Sequence, residues 1–217
     1  MSAASEMLKT TEAAVVSRVT LREVNRVIDE GILPAGFVTS DDGRLVLAAA
    51  CTLISFYFAS ARALTSEERL FVIGVTVPRL RRSISFTLPA LLKEDWIVVH
   101  EFLTIDLAPF VKSAAERHGR LIAARDLVES SPELLGGTPV IRGTRVPVYS
   151  VAASLAAGIP IERILGAYPS LNREKVELAG IFAEANPPRG RPRVRSELPK
   201  GAVIISDRTV PRRKKPT

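Results

Sequence analysis

The chain is poor in the residues that build covalent or metal-held scaffolds. Its 217 residues include one cysteine, Cys51, and two histidines, His100 and His118. A lone cysteine excludes a disulfide framework and points to a reducing compartment. Cys51 and two histidines cannot assemble a Cys/His metal cluster. Met1 to Leu8 lacks the basic and apolar blocks of a secretory signal, so a cytoplasmic protein is expected. Long uncharged runs are scarce too. Leu45 to Ala61 is near the lower limit for a membrane span, but it holds Thr52, Ser55 and Ser60, and Arg62 follows at once. A buried helix accounts for it, and no membrane contact is expected. Groupings with catalytic mechanics are also missing: no Ser/His/Asp or Cys/His set, and no Walker loop. Gly136-Gly137 and Gly143 are too few for a phosphate cradle, and Asp41-Asp42 reads as a turn rather than a carboxylate pair. The expectation is a protein with no catalytic activity, no cofactor and no metal.

What is present is a globular composition, 47% apolar and 24% charged. The net charge of +7 is unevenly spread. Pro187 to Thr217 carries ten Lys/Arg and two acids, hence +8, and residues 1–186 carry twenty and twenty-one, hence −1. A basic tail on a near-neutral body suits a polyanion or an acidic protein pocket.

The pattern predicts a mainly α protein with small β elements, in four regions. Residues 1–64 read as a winged-helix-like module. Thr11 to Val16 is a short helix and Ser17-Arg18-Val19 a turn. Thr20 and Glu23 have capping-box spacing. The second helix puts Leu21, Val24, Val27, Ile28 and Ile32 on an apolar stripe and turns Arg22, Asn25 and Arg26 outward. Gly31 and Pro34 end it, and Asp41-Asp42-Gly43-Arg44 is a hairpin turn. Residues 65–126 form a mixed α/β connector and a candidate dimerisation region. Thr65 and Glu68 open a helix; Val75–Leu88 and Trp96–Ile105 read as strands; Asp106 caps a helix that Gly119 terminates. Trp96 and Phe102 read as core.

Residues 127–186 read as a β-hairpin followed by a homeodomain-like three-helix bundle. Gly143 takes the positive φ of a type II′ turn between Val140-Ile141 and Val146, with Arg142 and Arg145 on either side. Three helices follow. Val148, Val151, Ala152 and Leu155 fill the first stripe, and Ile161, Ile164, Leu165 and Tyr168 the second. The third, capped by Asn172 with Leu171 and Val176 as a hydrophobic staple, buries Leu178, Ile181, Phe182 and Ala185. Residues 187–217 form an extended basic tail. Arg189, Arg191, Arg193 and Arg195 alternate with Gly190, Pro192 and Val194, and Val203-Ile204-Ile205 is an isolated strand-former before Arg208. No aromatic residue stands there to stack on RNA bases.

Two resemblances give these regions a function. Glu12-Ala13-Ala14, Thr20-Leu21-Arg22 and Glu30-Gly31-Ile32-Leu33 resemble the N-terminal DNA-binding module of the MerR-like regulators. That implies DNA contacts from Thr20, Arg22, Asn25 and Arg26, with Arg44 on the wing. The wing departs from those regulators: an aromatic or an arginine–tyrosine pair is usual where this chain has Arg44-Leu45-Val46-Leu47. The segment from Gly136 to Val148, with Gly137, Pro139, Arg142, Gly143, Thr144 and Arg145, together with Ala156–Leu165 and Ala167–Leu171, resembles a bacterial and archaeal domain family. It was first catalogued as of unknown function and is associated with VapB-type antitoxins. This resemblance implies an antitoxin that neutralises a cognate PIN-like ribonuclease toxin and binds operator DNA to regulate its own operon, as a homodimer within a larger complex. The tail, through Arg189, Arg191, Arg193, Arg195, Val203, Ile204, Ile205 and Arg208, is then the candidate toxin-binding segment, its arginines suited to clustered carboxylates and its apolar triplet to strand addition. Arginines tracking DNA phosphate and a stand-alone helix-turn-helix regulator are the alternative readings.

Overall fold

The computed structural model describes residues 6–39, 43–82, 88–100 and 102–188. The chain opens with β1 (Met7–Lys9), α1 (Thr10–Ser17) and α2 (Leu21–Asp29). Arg18 ends α1 in the left-handed region at φ 57°. The N–H of Val19 donates to Ala14 O, which closes the turn without a glycine. Gly31 ends α2 at φ 62°, and the N–H of Ile32 donates to Val27 O in the same manner. β2 (Val38–Thr39) and β3 (Leu45–Leu47) follow, with β3 central between β1 and β2 and antiparallel to both. The expected Asp41-Asp42 turn lies outside the described residues.

The uncharged stretch becomes β3, a 3₁₀ turn (Ala48–Ala50) and α3 (Cys51–Ala59). α3 is apolar all round because neighbours cover every side: Leu53, Ile54 and Phe56 are buried among α1 and two later helices, α4 (Ser66–Arg82) and α6 (Ala108–Asp126). Burial pushes the Cys51 thiol up to about 12, so it packs as a small neutral apolar group. No helix among the described residues is long and apolar enough to cross a membrane.

α4 (Ser66–Arg82) corrects the expected strand from Val75. Its start is the expected capping box: Thr65 N–H and Oγ1 donate to Glu68 Oε2 at 2.6 and 2.8 Å, and these bonds hold the Glu68 carboxyl below its usual range. The β-branched Val75, Thr76 and Val77 favour strand locally. Yet Val72, Ile73, Thr76, Val77 and Leu80 fall on one helical face, and burying that face outweighs propensity. A four-residue helix, α5 (Leu88–Leu91), leads to the antiparallel pair β4 (Ile97–His100) and β5 (Leu103–Asp106). Trp96 is buried and its indole N–H donates to Leu91 O at 2.6 Å, whereas Phe102, expected in the core, is fully exposed beside the hairpin turn.

α6 (Ala108–Asp126) is the axis of the fold. The Asp106 carboxylate accepts from Ala108 N–H at 2.8 Å, as a cap should. The helix does not stop at Gly119: that residue is exposed, and seven further residues carry Leu121 and Ala124 into the core alongside Val111 and Ala114 of the earlier turns. α6 packs on α1, α3, α5 and a later helix, α9 (Arg173–Ala185). Arg125 ties it to the N-terminus, lying 2.6 Å from Glu6 and 3.0 Å from the buried Glu12, with His118 2.8 Å from Glu6.

β6 (Val128–Glu129) pairs with β7 (Val140–Ile141), and α7 (Val148–Ala156), α8 (Ile161–Ala167) and α9 (Arg173–Ala185) complete the described chain. Ile141, Val148, Val151, Ile164, Leu171, Val176 and Ala179 form a second core; Val148, Val151 and Ile164 come from the expected stripes, whereas Ile181 and Phe182 are only partly buried and Ala185 joins the first core. Asn172 caps α9 by accepting from Lys175 N–H at 2.8 Å. α9 also packs on α1 and α6, and Thr11 Oγ1 donates to Ala185 O at 2.6 Å. The protein is thus mainly helical with small antiparallel sheets. Its first compact unit runs Met1–Pro187.

Candidate nucleic-acid interface

α2 is built to present one face. Thr20 N–H and Oγ1 donate to Glu23 Oε2 at 2.7 and 2.9 Å, and Glu23 N–H donates back to Thr20 Oγ1 at 3.2 Å. This fixes the first turn. Val24 and Val27 are buried beneath the helix. Residues 22, 25, 26 and 29 share its outer side through their i, i+3, i+4, i+7 spacing, and Arg22, Arg26 and Asp29 are exposed. Leu21 departs from the expected apolar stripe. At 42% exposed, it joins the outer face.

A contact invisible in the sequence completes the face. Arg44, beside β3, reaches α2 across nineteen residues: its Nη1 donates to Asn25 Oδ1 at 3.2 Å, and its Nη2 lies 2.9 Å from Asp29 Oδ1. Arg44 and the helix therefore share one polar surface. Arg26 Nε donates to Glu30 Oε1 at 2.8 Å, and that hydrogen-bonded carboxylate raises the guanidinium's basicity. Arg22 has no ion pair among the described residues. An open hollow of about 1130 Å³ fronts this surface, lined by Thr20, Arg22, Asn25, Arg26, Asp29 and Phe58 among others.

Chemically, this face offers side chains of the right type for base edges. Arg pairs bidentately with guanine and Asn with adenine. Its field is weak, because Asp29 and Glu30 offset Arg44 and Arg26. Binding here would depend on directional bonds more than on phosphate attraction. The Arg26–Glu30 pair was readable from its i, i+4 spacing; the Arg44–Asn25 bond was not.

The second motif forms a tight turn that differs from the expected type. Thr144 N–H donates to Ile141 O at 2.9 Å, and Gly143 takes φ 73° as the third turn residue. That is the position of a type II turn, not of type II′. Ile141 N–H donates to Val146 O at 3.0 Å, and Thr144 Oγ1 donates to Ile141 O at 2.7 Å. Glu129 Oε1 accepts from Gly143 N–H at 3.1 Å. Gly137, at φ 85°, holds the entry to the strand, and its carbonyl accepts from Ser130 Oγ at 2.6 Å. Pro139 O accepts from Val148 N–H at 3.0 Å, which seats α7 on the turn. Arg142 and Arg145 are both exposed, and neither has an ion pair among the described residues. α9, by contrast, is packed, and two of its charges are paired: Arg173 with Glu162 at 2.6 Å, and Glu177 with Arg120 at 2.7 Å. The tail candidates Arg189, Arg191, Arg193, Arg195, Val203, Ile204, Ile205 and Arg208 lie outside the described residues.

The chain is 65% identical over 215 residues to a protein of Sinorhizobium fredii titled "Uncharacterized protein y4eO", covering 99% of this chain and 97% of that one. The chain belongs to the family of that protein. Within it, residues 128–183, the β6–α9 segment, match the model described as protein of unknown function (DUF433). No solved structure matches.

Proposed function

We propose that the chain is the antitoxin of a type II toxin–antitoxin pair. It binds operator DNA through the face of α2 and neutralises a PIN-like ribonuclease, acting in the cytoplasm as a binding protein rather than a catalyst. One observation carries the DNA limb. A capped α2 displays Arg22, Asn25 and Arg26 together, and the wing's Arg44 is bonded to Asn25 on the same surface. The order of helix, turn, capped helix and paired strands supports the MerR-like reading. A homodimer follows from the habit of such modules of reading two half-sites. Support for the toxin limb comes from the Gly137–Arg145 motif and its likeness to domains associated with VapB-type antitoxins. The basic tail sequence, suited to an acidic nuclease site, adds to it.

Co-expression with the product of the neighbouring gene tests the whole reading. Co-purification and rescue of growth are expected; deleting residues 187–217 should abolish both. A nuclease that neither binds nor is neutralised would leave the runner-up, a stand-alone helix-turn-helix regulator. The α2 face favours that second reading equally.

A further inference from the structure

α4 carries an apolar surface that the fold leaves open. From Leu70 to Pro78 the helix has no charged residue. One side, with Val72, Ile73 and Val77, is buried, yet Leu70, Phe71 and Gly74 on the other side are exposed. A helix that is apolar on both sides belongs in an interior. α3 has such surroundings; the outer side of α4 has none among the described residues.

The β4–β5 pair extends this surface. Arg79 Nη1 donates to Asp95 O at 3.3 Å and to Ile97 O at 2.9 Å, and the Phe71 ring stacks on His100 at 3.8 Å, so α4 is fastened to both ends of β4. Side chains alternate across the pair. Val98 and Ile105 turn towards the core, while Ile97 and Val99 turn outward, 45% and 67% exposed. Phe102 stands fully exposed at the hairpin turn. The one charged residue on the outer face of the pair is Asp106, opposite Ile97, and its carboxylate already caps α6. That leaves little to attract nucleic acid or a charged peptide. Leu70, Phe71, Ile97, Val99 and Phe102 together leave on the order of 500 Å² of apolar surface open, taking about 200 Å² for a whole aromatic side chain. Patches of that size mark interaction sites. A stable interface takes about 800 Å² from each partner, and in homodimers about two thirds of it is apolar. The open patch supplies that apolar share.

We propose that the outer side of α4, the outer face of β4 and Phe102 form the contact between two copies of this chain, packed face to face about a two-fold axis. Such a contact is self-complementary: the aromatic and branched side chains of one copy meet those of the other. It gives Phe102 the cover that the single chain denies it. The contact itself rests on the open patch. That it sets two α2 faces against two half-sites rests on the DNA reading.

The test is the mass of the full-length chain, by sedimentation velocity across micromolar concentrations. A mass twice the 23.5 kDa of one chain is expected. Val99→Lys/Phe102→Lys should weaken the dimer at least about a hundredfold and leave monomer, because like charges then face each other across an apolar contact. Leu70→Glu, on the other element, should act in the same direction. All three positions are exposed, so circular dichroism should show the parent's helical content in each variant. Ile122→Lys, at an exposed apolar residue towards the far end of α6, should leave the dimer unchanged. A monomeric parent, or a dimer that survives both patch variants, would overturn the proposal. So would a dimer lost on deleting residues 187–217, which would assign the contact to the tail. The readout needs neither DNA nor a nuclease, so its failure leaves the α2 reading standing.

Discussion

α2 and α9 begin alike and end in different roles. Each opens on a side-chain cap, Thr20 for one and Asn172 for the other. Each carries charged residues in its first turns. α9 then packs against α1, α6, α7 and α8, and draws Arg173 and Glu177 into pairs with Glu162 and Arg120. α2 packs through Val24, Val27 and the partly buried Ile28, and leaves Arg22, Asn25 and Arg26 on its outer side with Arg44 beside them. Capping therefore says where a helix starts. Both helices pair charges, α2 through Arg26–Glu30 and Asp29–Arg44, so it is burial that says whether an outer face is free for a partner.

That contrast can be broken most forcefully at Val176, which is fully buried in α9. Val176→Asp should cost at least about 3 kcal/mol in urea unfolding, because an unpaired charge enters an apolar core. Arg22→Ala in α2 should stay within about 0.5 kcal/mol of the parent chain. A large loss at Arg22 would mean that the outer face of α2 is structural. The next effect sharpens the reading of charge. Replacing Asp29 by Asn and Glu30 by Gln frees Arg44 and Arg26 and removes two negative charges. DNA affinity should rise roughly fivefold at low salt, with a steeper salt slope; an unchanged affinity would place DNA elsewhere. Smaller still are the caps. Thr20→Ala and Asn172→Ala should each cost about 1 kcal/mol of stability, and similar losses would establish that the two starts are equivalent. Smallest is Arg173→Ala, whose exposed pair with Glu162 should be worth under about 0.5 kcal/mol.

Much of this molecule could be read locally. The capping boxes at Thr20 and Thr65, the Asn172 cap and the stripes of α7 to α9 are set by residues a few positions apart, and they form as spaced. Misreadings arose where distant packing decides. Val75-Thr76-Val77 favours a strand until α3 and β4 are there to cover the face of α4. Gly119 reads as a stop until the core beyond it, through Leu121 and Ala124, repays continuing the helix. Phe102 reads as core until the hairpin places it in solvent. In the candidate site, Arg22, Asn25 and Arg26 were visible as a polar helix start. The Arg44 bond to Asn25, and the Phe71 stack on His100 that joins α4 to the hairpin, link residues nineteen and about thirty positions apart, so no local pattern marks them.

The central claim is that α2 reads DNA. Fluorescence anisotropy of the full-length chain on the DNA preceding its own gene, at fixed salt, tests it directly against Arg22→Ala/Asn25→Ala. The account predicts at least about a thirtyfold loss of specific affinity, from two lost base contacts, with the weak binding to unrelated DNA unchanged. Equal affinity of parent and double variant for the specific DNA would contradict it.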